Sequence, residues 1–133
     1  LKEIDQQCLL QRALRLRPDR LIMGEIRGAE AKDFLLMLAT GHSGCMATLH
    51  AKTPWEALAR LEMLIQMGAP QWSLSTVRRL IFSGIQYVIV TKRMTGGERR
   101  LAGVYRVSSL EESGVTLESD ERFTRSTTSS EMV

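Results

Sequence analysis

Apolar residues fall at helical spacing in four stretches of the chain, as short continuous runs in two places, and in β-rich runs further on. Over residues 3–16, Ile4, Cys8, Leu9, Leu10, Ala13 and Leu14 predict a helix. Pro18 stops it, because its ring clashes with a continuing turn and drives Arg17 out of the helical region. Leu21, Ile22 and Met23 then form an apolar run closed by Gly24, Glu25 and Gly28, the pattern of a strand buried on both faces. A second helix is predicted at about 29–39, packing through Phe34, Leu35, Leu36 and Leu38. After a loop at 40–44, residues 45–50 read as a second short strand. Thr53, Pro54 and Glu56 mark a helix start by cap, first-turn proline and capping box. Leu58, Leu61, Leu64 and Ile65 continue that helix until Gly68 and Pro70 end it. Ser73 caps a further helix with Leu74, Val77, Leu80, Ile81 and Ile85 on one stripe. The runs QYVIVTKR and RRLAGVYRV, joined by Met94–Glu98, predict an antiparallel hairpin.

The order helix, strand, helix, strand, two helices, hairpin gives the fold class α/β. Parallel strands with flanking helices are expected, extended at the edge by the antiparallel hairpin. Two parallel strands make a thin buried layer. The chain also opens at Leu1 rather than Met, and it reads as part of a larger domain.

Composition narrows the possibilities. Hydrophobic residues make up 44% and charged residues 25%, which suits one folded domain and argues against wholesale disorder. No run of about 18 apolar residues is long enough for a membrane-spanning helix. Cys8 and Cys45 stand far apart with no CxxC, so they read as reduced thiols and exclude a disulfide scaffold. With His42 and His50 they fit no paired zinc-ligand spacing.

Charge is uneven along the chain. Residues 1–107 hold 16 Lys/Arg against 9 Asp/Glu, a net +7, and residues 108–133 hold 2 against 6, a net −4. The basic part suits a phosphate ligand or an anionic membrane surface, or is simply a solvated face. Its few aromatics are scattered and supply no base-stacking platform, which argues against nucleic-acid binding. The Ser-, Thr- and charge-rich sequence from about Leu117 buries too little apolar area to offset its ordering entropy and predicts a flexible tail.

Two constellations carry chemistry. In the first, RPDRLIMGEIR at 17–27, Glu25 stands at the carboxyl end of a strand, where α/β proteins bind ligands. In a nucleotide hydrolase such a carboxylate can orient the attacking water and hold a magnesium-bound water, and Arg27, two residues on, can offset phosphate charge. The bland alternative is a strand-end Glu paired with an Arg. In the second, GHSGCMATLHA at 41–51, glycines allow a close approach to a ligand. Thr48 and His50 lie two apart, on one face of a strand. An imidazole there can hydrogen-bond a terminal phosphate; a polar edge strand with a satisfied His is the alternative.

Together, LLQRALRLRPDRLIMGEIRGAEA and TGHSGCMATLHA resemble the Walker B segment and the His box of the secretion ATPase superfamily, over roughly residues 3–107. The flavour is that of the type IV secretion and conjugal-transfer branch. The resemblance implies a P-loop, RecA-like ATPase fold, with residues 1–117 as the carboxyl-terminal part of the domain and 118–133 as the tail. It implies Glu25 as the catalytic carboxylate, holding Mg2+ through water, with His50 contacting or sensing the γ-phosphate. Gly24 takes the place where many P-loop enzymes have Asp. With Arg27, His42 and Thr48, it would complete the nucleotide-binding set. The implied cofactors are ATP and Mg2+. The implied assembly is a homo-hexamer at the cytoplasmic face of the inner membrane, working with a secretion or conjugation apparatus. Peripheral membrane association is compatible with it, and direct specific nucleic-acid binding is not expected.

The chain departs from the family in holding no GxxxxGK[ST] phosphate loop. By itself it is therefore expected to be catalytically silent. A type II secretion or pilus motor, and a non-catalytic interaction fragment, remain the alternatives.

Overall fold

Asp5 begins the first helix. Its carboxylate accepts from the Cys8 N–H at 2.7 Å and satisfies a donor that the first turn leaves open. The computed structural model describes residues 4–42 and 44–123. Helix α1 (Gln6–Arg15) starts three residues later than periodicity suggests and ends where Arg17 takes φ 52° ahead of Pro18. Arg17 thus leaves the right-handed helical region ahead of Pro18, but into the left-handed region rather than the extended one that usually precedes proline.

Strand β1 (Ile22–Met23), helix α2 (Glu30–Ala39) and strand β2 (Met46–Ala47) form a strand–helix–strand unit. The two strands are parallel, with Ile22 opposite Met46 and Met23 opposite Ala47. Ala29 at the start of α2 has no capping side chain. Glu30 folds back instead and accepts from the Arg27 and Gly28 N–H groups at 2.7 and 2.9 Å. Helix α3 (Pro54–Gly68) starts as its sequence predicts, with Thr53 Oγ1 accepting from the Glu56 N–H. The Glu56 carboxylate reaches the Lys52 N–H rather than that of Thr53, so the capping box closes one residue early. Helix α4 (Leu74–Gly84) is capped by Ser73.

Leu35, Ile65, Val77 and Ile81 are fully buried where α2, α3 and α4 meet. Each such side chain removed from water contributes about 1.5–3 kcal/mol. Two glycines permit the close approach. A Cβ on Gly84 would stand 3.2 Å from Leu35 Cδ1, and one on Gly68 2.6 Å from Ala29 O.

The hairpin forms as β3 (Tyr87–Arg93) and β4 (Arg99–Glu111), closed by the Met94 N–H on Glu98 O at 2.7 Å. Three expectations are corrected. The hairpin does not extend the parallel sheet: β1–β2 and β3–β4–β5 are separate sheets. The first strand is not buried on both faces, since Ile22 is 69% exposed while Met23 lies in the core. A third antiparallel strand, β5 (Gly114–Ser119), pairs with β4 and runs past the expected boundary at 117. Val115 and Leu117 pack against the core, and Arg106 pairs with Glu118, so apolar anchoring and an ion pair hold a segment whose composition reads as tail. Residues 124–133 of the expected tail lie outside the described residues.

Edge-to-face packing of Trp55 on Tyr105, with ring centroids 5.6 Å apart, ties α3 to β4. Arg78 on α4 donates to Glu62 Oε1 and to Glu112 O, which ties both helices to the β4–β5 turn. No helix among the described residues is long and apolar enough to cross a membrane.

Candidate functional site

The site begins where β1 leaves its partner. Leu21 O accepts from the Met46 N–H at 3.0 Å, and Met23 O from the Thr48 N–H at 3.3 Å. The chain then steps out for two residues, Gly24 and Glu25. It returns when the Ile26 N–H donates to Thr48 O at 2.9 Å, with Ile26 buried. The step lifts Glu25 off the ladder while residues on both sides stay fixed. Thr48 Oγ1 donates to Gly24 O and holds the step from the other strand. A Cβ on Gly24 would meet nothing within 4 Å, so packing does not require glycine there.

Cys45, Ala47 and Leu49 pack on the core, while Met46, Thr48 and His50 face out. The alternation expected over 45–50 thus survives although only Met46–Ala47 form regular strand. It brings His50 Nε2 to 3.2 Å from Glu25 Oε1. Arg27 forms an ion pair with Glu25 Oε2. The Glu25 side chain is 20% exposed, while those of Arg27 and His50 are 74% and 82% exposed, so the carboxylate sits beneath two solvated side chains.

The hydrogen bond from Arg27 is the main reason that the Glu25 carboxyl is held below the usual carboxylate range. Desolvation opposes it, and the charges of Arg27, His50 and Arg60 reinforce it. The same bond raises the Arg27 guanidinium. Glu25 is therefore an ionised hydrogen-bond acceptor at neutral pH, suited to orient a water.

The structure brings together Gly24, Glu25, Arg27, Thr48 and His50. It does not join His42 to them: no hydrogen bond or ion pair links it to this group among the described residues. His42 follows α2, its N–H donating to Met37 O, and its ring Nδ1 is buried without a hydrogen-bond partner among the described residues. Among the described residues no three His, Cys, Asp or Glu side chains cluster as metal ligands, so Glu25 offers one carboxylate and no protein cage.

Sequence reasoning missed a neighbouring feature. His50, Ala51, Lys52, Glu56 and Arg60 line a depression beside the carboxylate. The signal available was the four-residue spacing of Glu56 and Arg60 on one helix face, which by itself reads as a surface pair.

Comparison with known proteins places this geometry in context. Residues 2–117 match the family described as type II/IV secretion system protein. A putative conjugal transfer protein of Mycobacterium tuberculosis is 38% identical over 102 residues, which is 77% of this chain and 28% of that protein. The type IV secretion system protein PtlH of Bordetella pertussis is 44% identical over 96 residues, covering 69% of this chain and 28% of PtlH. The crystal structure of the VirB11 ATPase from the Brucella suis type IV secretion system, in complex with sulphate, superposes with a TM-score of 0.68 at 28% identity. That match covers 74% of this chain and 30% of VirB11. The chain thus spans under a third of the length of these relatives.

Proposed function

The chain belongs to the type II/IV secretion system protein family, and from that membership we propose that it is the carboxyl-terminal portion of a type IV secretion or conjugal-transfer ATPase. In this reading, ATP hydrolysis by a homo-hexamer at the cytoplasmic face of the inner membrane drives protein or DNA across the envelope. The observation that carries it is the Glu25 carboxylate, ionised at the end of a parallel strand and flanked by Arg27 and His50. Relatives named for conjugal transfer and type IV secretion support that branch over a type II or pilus motor.

The residues present fit one end of a magnesium nucleotide. A single ionised carboxylate at the strand end and the exposed Arg27 and His50 beside it suit phosphate oxygens and bound water. No GxxxxGK[ST] stretch is present to cradle the inner phosphates, so the 133-residue chain alone is expected to be inactive. Magnesium, when bound, draws charge from the phosphates, and Glu25 would hold it through water. Glu25 orients the attacking water and accepts its proton. His50 donates toward a terminal phosphate oxygen, and Arg27 compensates its charge. Thr48 keeps the Gly24–Glu25 step in place by its bond to Gly24 O.

The test is phosphate release by a protein carrying this chain together with a Gly-rich loop, fractionated by size. Magnesium-dependent turnover confined to ring-sized species is expected. Turnover by monomer alone, or none in any fraction, would refute the proposal.

A further inference from the structure

Helix capping leaves one cation of this region without its natural partner. Glu56 and Arg60 are four apart on α3, the spacing at which a carboxylate and a guanidinium ordinarily pair along a helix. Glu56 is committed elsewhere, its Oε2 accepting from the Lys52 N–H at 2.9 Å. Arg60 makes no hydrogen bond or ion pair among the described residues. Its charge acts on Glu25 through space, while Arg27 occupies the ion-pair position.

Arg60 shares its depression with His50, and His50 connects that depression to Glu25. Within the lining of the depression, Lys52 and Arg60 place two positive charges against the one carboxylate of Glu56. The surplus suits an anion, and a guanidinium with an open fork matches phosphate oxygens in pairs.

We propose that Arg60 is an anion-contact residue of the Glu25 site, holding with His50 the terminal phosphate of a polyphosphate ligand. The identity of that ligand as a nucleotide rests on the function proposed above, but the charge argument does not.

The test titrates the 133-residue chain with sodium tripolyphosphate, with ATP and with inorganic phosphate. The readout is the His50 ring and arginine Nε–H resonances by NMR. Tripolyphosphate and ATP should perturb His50 and Arg60 in common, and inorganic phosphate only at higher concentration. Arg60→Gln should weaken tripolyphosphate binding about tenfold, the scale of one charge-assisted hydrogen bond. Arg60→Lys should recover part of the loss, and Arg79→Gln, on the exposed side of α4, should change nothing. Glu25→Gln should tighten binding by removing a negative charge.

If Arg60→Gln behaves like Arg79→Gln while Glu25→Gln tightens binding, Arg60 leaves the site and the phosphate reading of Glu25 stands. If neither variant responds, both fall. Perturbation by ATP but not tripolyphosphate would also overturn the proposal, because a terminal-phosphate contact serves both.

Discussion

Gly68→Ala tests the contact that sets α3 against the segment carrying the site. Gly68 ends α3, and a Cβ there would stand 2.6 Å from Ala29 O and 3.2 Å from Lys32 Cβ. An ordinary contact to oxygen needs about 0.6–0.8 Å more room. The obstructing atom is backbone at the start of α2 and accepts from the Lys32 N–H, so it cannot rotate away as a side chain would. Overpacking of this kind costs about 1–3 kcal/mol. Exchanging Gly for Ala in a helix interior gains at most about 1 kcal/mol, and less at a last residue. The net expectation is a loss of about 1–2 kcal/mol, or roughly 0.5–1 M in the urea midpoint at an m-value of about 2 kcal/mol/M. Ala29 lies four residues beyond Glu25, so the displacement should also shift the Arg27 and Glu25 resonances. Gly96→Ala, where a Cβ meets nothing within 4 Å, is the control and should stay within about 0.5 kcal/mol. A Gly68→Ala chain as stable as the parent, with an unmoved Glu25, would refute the contact.

The pH dependence follows from the depressed Glu25 carboxyl. Its contribution to stability is present above the unfolded carboxyl value, about pH 4–5, and is lost as the pH falls through the lower folded value. Carboxyl NMR titration should place Glu25 below the ordinary range and return it upward in Arg27→Ala. Asp120, held low by Arg122, should behave likewise in Arg122→Ala. Arg78→Ala removes bonds to Glu62 Oε1 and Glu112 O at once and leaves Glu62 partly buried without its partner, so urea denaturation should show a loss of about 1–3 kcal/mol.

What the sequence discloses follows from how local each cause is. The caps at Thr53 and Ser73 act within one turn, and both helices start where those residues place them. The shared outward face of Thr48 and His50 is legible because an alternating run fixes which side chains point the same way, whereas the contact of His50 with Glu25 depends on the pairing of two strands and is seen only in the fold. Strand extents are not, since ladder length depends on neighbouring backbone: the run 45–50 alternates throughout but pairs regularly only at Met46–Ala47. Strand β5 escapes notice because Val115 and Leu117 are its only core anchors, set among Ser, Thr and Glu. The separation of the two sheets is likewise a matter of hydrogen-bond partners, which element order does not specify. Arg60 is hidden for a subtler reason: its spacing from Glu56 predicts a pair that the Lys52 N–H pre-empts.

The most direct measurement concerns Glu25 itself. Glu25→Gln preserves size while removing charge and basicity, in a protein that supplies the Gly-rich phosphate loop alongside this chain. Steady-state phosphate release and nucleotide affinity are measured on the same ring preparations. Turnover should fall by about 10²–10⁴, while ATP affinity holds or rises because a carboxylate near the phosphates is gone. Turnover within a few-fold of the parent would contradict the catalytic assignment and leave Glu25, Arg27 and His50 as a strand-end ion-pair cluster.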